Sequence, residues 1–195
     1  MLNMKSVIVI GLSIVLSAAT VVPSMAARVY NASTNTWEEP APYTSRRGHA
    51  IPKEIVDYTS NYKPGTIVIE TGERRLYLVL EDGKALKYGV GVGRDGFTWS
   101  GTHSITRKAE WPGWTPPAQM RKRVPDLPAY MPGGPDNPLG ARALYIGSTL
   151  YRVHGTSEPA SIGLAVSSGC IRLTNEDITD LYERVQVGAR IVVNH

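Results

Sequence analysis

Short runs of β-forming residues, separated by turn formers, are the feature that most constrains the fold of this 195-residue chain. These strands are predicted at 66–70, 76–80, 85–92, 143–146, 150–153 and 190–193. Asp82 and Gly83, between two of them, are typical of a two-residue hairpin turn. One segment, 174–185, has apolar residues at helical spacing after a capping Thr174. The pattern predicts a mainly β fold, a sandwich or barrel-like sheet with one or two short helices.

The N-terminal residues 1–26 have the pattern of a secretory signal peptide. Lys5 precedes an uncharged apolar run, and Ser24 and Ala26 provide small residues at a cleavage site. The alternative is a retained membrane anchor, because the run is near the lower limit for spanning a bilayer. Cleavage predicts an exported, periplasmic protein with no stable membrane span after processing.

The rest of the chain divides into a polar N-terminal extension, 27–63, and one domain, 64–195. A short helix is predicted in the extension at 53–58. Within the domain, 111–138 is rich in proline but also holds Trp111 and Trp114. Because disordered segments are poor in aromatic residues, we expect an ordered flap or a structural loop there.

Charge and cysteine content limit the classes of function. The formal net charge of +4 is too small to indicate a nucleic-acid partner. The chain has one cysteine, Cys170, which cannot form an internal disulfide. In an exported protein such a residue is either a buried apolar side chain or a reactive thiol.

The neighbours of Cys170 favour the reactive thiol. It follows Gly169, whose tight turn would direct backbone N–H groups towards a tetrahedral oxyanion. A thiol reacts as a thiolate and needs a base beside it, and His154, next to Gly155, is the candidate. His49, His103 and His195 are predicted to be solvated surface residues. No spacing of histidines and carboxylates indicates zinc, so no metal or cofactor is predicted.

The block from Tyr151 to Val193 resembles the catalytic block of the L,D-transpeptidases, the YkuD-type domain. The order His-Gly-Thr, Ser-x-Gly-Cys-Ile-Arg, Asn-x-Asp and Leu-Tyr carries this resemblance. Similarity is expected over 65–194, and 111–117 and 137–143 resemble an alphaproteobacterial subgroup. The resemblance implies a YkuD-type β-sandwich. One position departs from the commonest family pattern, because Ser168 stands where most members have a second histidine.

The resemblance implies a peptidoglycan L,D-transpeptidase. Cys170 would attack the diaminopimelate–D-alanine bond of a donor tetrapeptide stem and form a thioester acyl-enzyme. Transfer to an amine would give a cross-link or attach a protein, including an outer-membrane protein, to peptidoglycan. An L,D-carboxypeptidase or other hydrolase of the same family, and a non-catalytic peptidoglycan-binding module, are the alternatives.

The same resemblance implies roles for individual residues. His154 would be the proton donor and acceptor, oriented by the Gly155 carbonyl, while the Gly169 N–H would stabilise the oxyanion. Arg172 would bind a substrate carboxylate or form a structural ion pair with Glu176 or Asp177. Further substrate contacts are expected from Ser168, Trp111 and Trp114, with packing of the flap as the alternative for the two tryptophans.

Overall fold

The computed structural model describes residues 29–31, 34, 36–38 and 51–195. The strands are β1 (Val29–Asn31), β2 (Thr36–Glu38), β3 (Glu54–Asp57), β4 (Ile67–Glu70), β5 (Arg75–Val79), β6 (Lys84–Gly89), β7 (Val92–Gly93), β8 (Gly101–Glu110), β9 (Arg142–Ile146), β10 (Arg152–His154), β11 (Ala165–Ser167), β12 (Ile171–Arg172) and β13 (Arg190–Asn194). The helices are α1 (Ala118–Arg123) and α2 (Asn175–Arg184), with a 3-10 turn at Pro159–Ser161. The prediction of a mainly β fold with one or two short helices is confirmed. The predicted signal segment lies outside the described residues.

Nine strands form one sheet in the order β12-β10-β9-β8-β13-β4-β5-β6-β3. The last strand, β13, lies inside this sheet, antiparallel to β8 and parallel to β4. Its residues Ile191 and Val193 are buried, as expected for a strand with neighbours on both sides. The C-terminal segment therefore joins the β8–β9–β10–β12 part of the sheet to the β4–β5–β6–β3 part.

Helix α2 packs its apolar side into the main core through Ile178 and Leu181. The Thr174 side chain accepts a hydrogen bond from the Asp177 N–H at 3.0 Å and caps the helix. At the other end, the Lys108 ammonium donates to the carbonyl oxygens of Tyr182 and Val185 at 2.5 and 2.7 Å. A cation there also complements the helix dipole. The N-terminus of α2 is thus capped two residues after β12, and its C-terminus is tied to β8.

The prediction of a helix at 53–58 is wrong, because Glu54–Asp57 form the edge strand β3, antiparallel to β6. The β-branched side chains of Ile55 and Val56 favour a strand. Ion pairs to β6, from Lys84 to Asp57 and from Lys87 to Glu54, both 2.5 Å, cross the same edge. The backbone hydrogen bonds supplied by β6 account for the strand.

The flap, 111–138, packs around a second apolar cluster. This cluster contains Tyr30, Trp114, Met120, Leu127 and Leu139. The ring of Tyr30, from the β1–β2 hairpin, stacks on Trp114 with 5.9 Å between centroids. A part of the N-terminal extension therefore completes the core of the flap.

Within the described ranges, no helix is long and apolar enough to cross a membrane.

Candidate active site

The sheet brings His154 and Cys170 to one edge. Strand β10 pairs in parallel with β12, with Val153 opposite Ile171 and His154 opposite Arg172. Since side chains alternate along a strand, Val153 and Ile171 face the main core, while His154 and Arg172 share the other face. Cys170 directly precedes β12, so alternation continued by one residue predicts that its side chain lies on the face of His154.

The imidazole of His154 is held by its neighbour. Its Nδ1 lies 2.5 Å from the carbonyl oxygen of Gly155. A carbonyl only accepts hydrogen bonds, so Nδ1 carries the proton and Nε2 keeps its lone pair. Burial lowers the pKa of His154 to about 3, and the charge of Arg172 acts in the same direction, while the Gly155 carbonyl opposes it. The ring is therefore neutral at pH 7, with Nε2 able to accept a proton.

Asn175, the first residue of α2, fixes the loop that carries the Gly155 carbonyl. Its Oδ1 accepts hydrogen bonds from the N–H groups of Ala141 at 2.9 Å and Thr156 at 3.2 Å. A Cβ placed on Gly155 would lie 2.3 Å from this oxygen, and one on Gly140 would lie 2.2 Å from it. Only glycine fits this close approach. No role was predicted for Asn175 from the sequence, although it lies in the Asn-x-Asp part of the family pattern.

The turn before Cys170 is closed by Ser167. Its Oγ donates to the carbonyl oxygen of Cys170 at 2.6 Å and accepts from the Gly169 N–H at 3.1 Å. The Gly169 N–H, which was expected to face an oxyanion, therefore donates within the turn in this structure. The sequence predicted no role for Ser167, because the family pattern singles out its neighbour Ser168 instead.

Gly169 is required by the conformation and packing of this turn. Its φ of +104° lies in the region that favours glycine, and a Cβ there would be 2.4 Å from Cε1 of Tyr151. The Trp99 indole donates to the Gly169 carbonyl at 2.8 Å and stacks on Tyr151 with 4.7 Å between centroids. The aromatic pair therefore packs against this turn and supports it.

Arg172 forms an ion pair, but with neither of the expected partners. It is buried, and its Nη1 lies 3.4 Å from Oε2 of Glu158. Glu176 and Asp177 lie on α2, while Glu158 precedes the 3-10 turn, so spacing along the chain could not indicate this pair. Burial lowers the pKa of Arg172, while negative charge on Glu158 and Cys170 raises it. The guanidinium thus lies close enough to interact electrostatically with both groups.

The other residues predicted to contact the substrate lie in different environments. Trp114 is buried in the flap cluster, which corrects its assignment to substrate because its ring packs on Tyr30. Trp111 is 44% exposed and has a left-handed backbone with φ of +37°. Ser168 is half-buried in the turn before Cys170. Trp111 and Ser168 therefore remain candidates for contact with a ligand.

The other two histidines of the described residues make different contacts. His103 is on β8 with its ring edge against Trp99, and His195 contacts the hydroxyl of Thr71. His49 lies outside the described residues. Among residues 51–195 and the described N-terminal segments, no group of three or more His, Cys, Asp or Glu side chains is placed to hold a metal ion.

Comparisons with known proteins identify the family. The family model of the L,D-transpeptidase catalytic domain, YkuD, matches residues 64–193. The Escherichia coli K12 protein named "Probable L,D-transpeptidase YbiS" is 46% identical over 134 residues, covering 64% of this chain and 43% of that protein. A relative from Fuscovulum blasticum, also named as an L,D-transpeptidase, is 34% identical over 98% of this chain and 97% of its own.

A solved structure shows the same fold. L,D-transpeptidase 3 from Mycobacterium tuberculosis, in complex with a faropenem-derived adduct, has a TM-score of 0.52 and 20% identity, covering 67% of this chain and 60% of that chain. The chain belongs to the L,D-transpeptidase catalytic-domain family. It spans less than half the length of the E. coli relative.

The low pKa of His154 predicts a pH-dependent stability. Between pH 6.5 and about 3 the unfolded chain binds a proton at this residue that the folded protein does not, so stability falls as pH falls through that window. From pH 7 to pH 5 the loss from this residue is about 2 kcal/mol. Urea unfolding should therefore show a larger loss for wild type than for His154→Gln. Equal losses in the two proteins would contradict the assigned protonation state.

The contacts of Asn175 predict a local effect of its removal. Asn175→Ala leaves the N–H groups of Ala141 and Thr156 without their acceptor and should lower the free energy of unfolding by about 1–3 kcal/mol. Amide hydrogen exchange at these two positions should accelerate. Asn175→Asp keeps an acceptor oxygen and should protect both amides, and Asn194→Ala, at the far end of β13, should leave them unchanged. Unaltered exchange in Asn175→Ala would show that the oxygen does not fix this loop.

Proposed function

We propose that the chain is a peptidoglycan L,D-transpeptidase in which Cys170 is the nucleophile and His154 the general base. The observation that carries this proposal is the pairing of β10 with β12, which brings His154 next to the strand that Cys170 directly precedes, while Gly155 holds Nδ1 of His154. The family match over residues 64–193 supports the same class of reaction.

In the first half-reaction, Nε2 of His154 takes the proton of the Cys170 thiol. The sulfur attacks the carbonyl carbon that joins the L-centre of diaminopimelate to the terminal D-alanine of a donor stem. The carbon–nitrogen bond then breaks, His154 returns the proton to the D-alanine amine, and a thioester remains on Cys170. Because Ser167 engages the Gly169 N–H, the N–H of Cys170 itself is the donor that we assign to the oxyanion.

In the second half-reaction, an acceptor amine attacks the thioester and gives a proton to His154. The carbon–sulfur bond breaks, an amide forms, and the proton returns to the sulfur. An amine of another stem gives a cross-link, and an amine of an outer-membrane protein gives attachment of that protein. Water as acceptor would give hydrolysis, which analysis of the products distinguishes from transfer.

This reaction requires an exported protein, and residues 1–26 are the segment to which we assign export to the periplasm. The neutral charge of His154 at pH 7 supports its role as base, because a protonated ring could not accept the thiol proton. The half-buried Ser168, in place of the usual histidine, lies next to Gly169 and leaves His154 as the base.

A covalent adduct tests this proposal. A carbapenem should add its mass to Cys170, and the protein should release D-alanine from muropeptide tetrapeptides. Cys170→Ala should abolish both signals, since the chain has no other cysteine. His154→Ala should lower both rates at least about a hundredfold, the scale of general-base catalysis. His195→Ala is the matched control and should retain both activities.

Wild-type protein that forms no adduct and releases no D-alanine would favour the non-catalytic binding module. Release that persists in Cys170→Ala would contradict the assignment of the nucleophile.

A further inference from the structure

Arg172, the arginine expected to bind a substrate carboxylate, is buried against Glu158. Its charge is therefore already matched by a carboxylate of the protein. A second arginine, Arg152, lies on the same sheet edge and was given no role in the sequence.

The register of the sheet places Arg152 beside Cys170. Strands β10 and β12 run in parallel with Val153 opposite Ile171, and the same register continued one residue beyond β12 brings Cys170 alongside Arg152. The ring of Tyr151 lies against Gly169, in agreement with this continuation. Alternation directs both to the face of His154, away from the main core. The charge of Arg152 also lowers the pKa of His154, in agreement with this placement.

The guanidinium of Arg152 is held in one orientation, but no carboxylate of the described residues neutralises its charge. It lies 5.2 Å from the ring centroid of Tyr145, its opposite residue on β9, and its Nη1 donates to the carbonyl oxygen of Leu150 at 3.1 Å. Its Nε is buried and has no hydrogen-bond partner among the described residues. No carboxylate in the described part of the chain forms an ion pair with Arg152.

A half-buried, oriented guanidinium with no carboxylate partner among the described residues suits a planar anion, because its fork of donors matches a carboxylate. The donor stem offers two carboxylates near the reacting carbonyl, one on the terminal D-alanine and one on the D-centre of diaminopimelate. We propose that Arg152 binds one of these two carboxylates of the donor stem peptide and positions the reacting carbonyl at Cys170. This inference rests on the proposed function.

Kinetics with three tetrapeptides test it: the unmodified peptide, one amidated at the terminal carboxylate, and one amidated at the diaminopimelate carboxylate. For the unmodified peptide, Arg152→Gln should raise KM for release of D-alanine about tenfold or more, the scale of a charge-assisted hydrogen bond. Amidation of the recognised carboxylate should raise the wild-type KM by a similar factor. In Arg152→Gln, that same amidation should change KM less than about twofold.

Two further variants exclude a general loss of structure. Arg152→Lys keeps the charge but loses the planar fork, so its KM should lie between those of wild type and Arg152→Gln. Arg107→Gln removes the arginine that contacts Tyr145 from β8, three strands from β12, and should leave KM unchanged. The comparison between peptides is made within one variant, so reduced stability does not imitate the result.

An unchanged KM in Arg152→Gln, or the same fold effect of this substitution on all three peptides, would overturn the inference while leaving the proposed function intact. A wild type that releases D-alanine from none of them would overturn both. If amidation of only one carboxylate raises KM in wild type but not in Arg152→Gln, the inference is supported. That carboxylate is then the one that Arg152 binds.

Discussion

The hydrogen bond between Nδ1 of His154 and the carbonyl of Gly155 is the interaction on which the candidate site depends. It selects the tautomer in which Nε2 is free, and so decides whether the ring can act as a base at Cys170. The carbonyl is itself held in place, because the Gly155 N–H donates to the Arg142 carbonyl at 3.0 Å and Asn175 packs against its Cα. A backbone carbonyl thus occupies the place of the carboxylate in a Ser-His-Asp triad.

The surrounding charges make this neutral ring stable. Burial disfavours an imidazolium, and the positive charges of Arg172 and Arg152 disfavour it further. Glu158 compensates Arg172, whereas Arg152 has no carboxylate partner among the described residues. A positive charge near Cys170 suits a thiolate nucleophile and an anionic substrate.

The elements that were predicted correctly are those with local causes. The Asp82–Gly83 turn has positive φ at both residues, as a tight hairpin requires, and α2 follows from its apolar spacing and the Thr174 cap.

The predictions that were wrong for the 53–58 segment, Trp114 and the partner of Arg172 have a different origin, because each of these features depends on a partner distant in the chain. The strand β3 exists through β6, and Trp114 is buried through Tyr30 of the N-terminal hairpin. Arg172 pairs with Glu158 across the fold rather than with the nearby helix. No role was predicted for Ser167, because its role lies in the geometry of one turn, which residue type alone does not reveal.

Nitrogen-15 NMR of the His154 ring at pH 7 tests the central claim most directly, because it reports the tautomer without relying on a substrate. The structure predicts a neutral ring with the proton on Nδ1 and an unprotonated Nε2, unchanged down to about pH 5. A ring protonated at Nε2, or an imidazolium at pH 7, would contradict His154 as the base of Cys170.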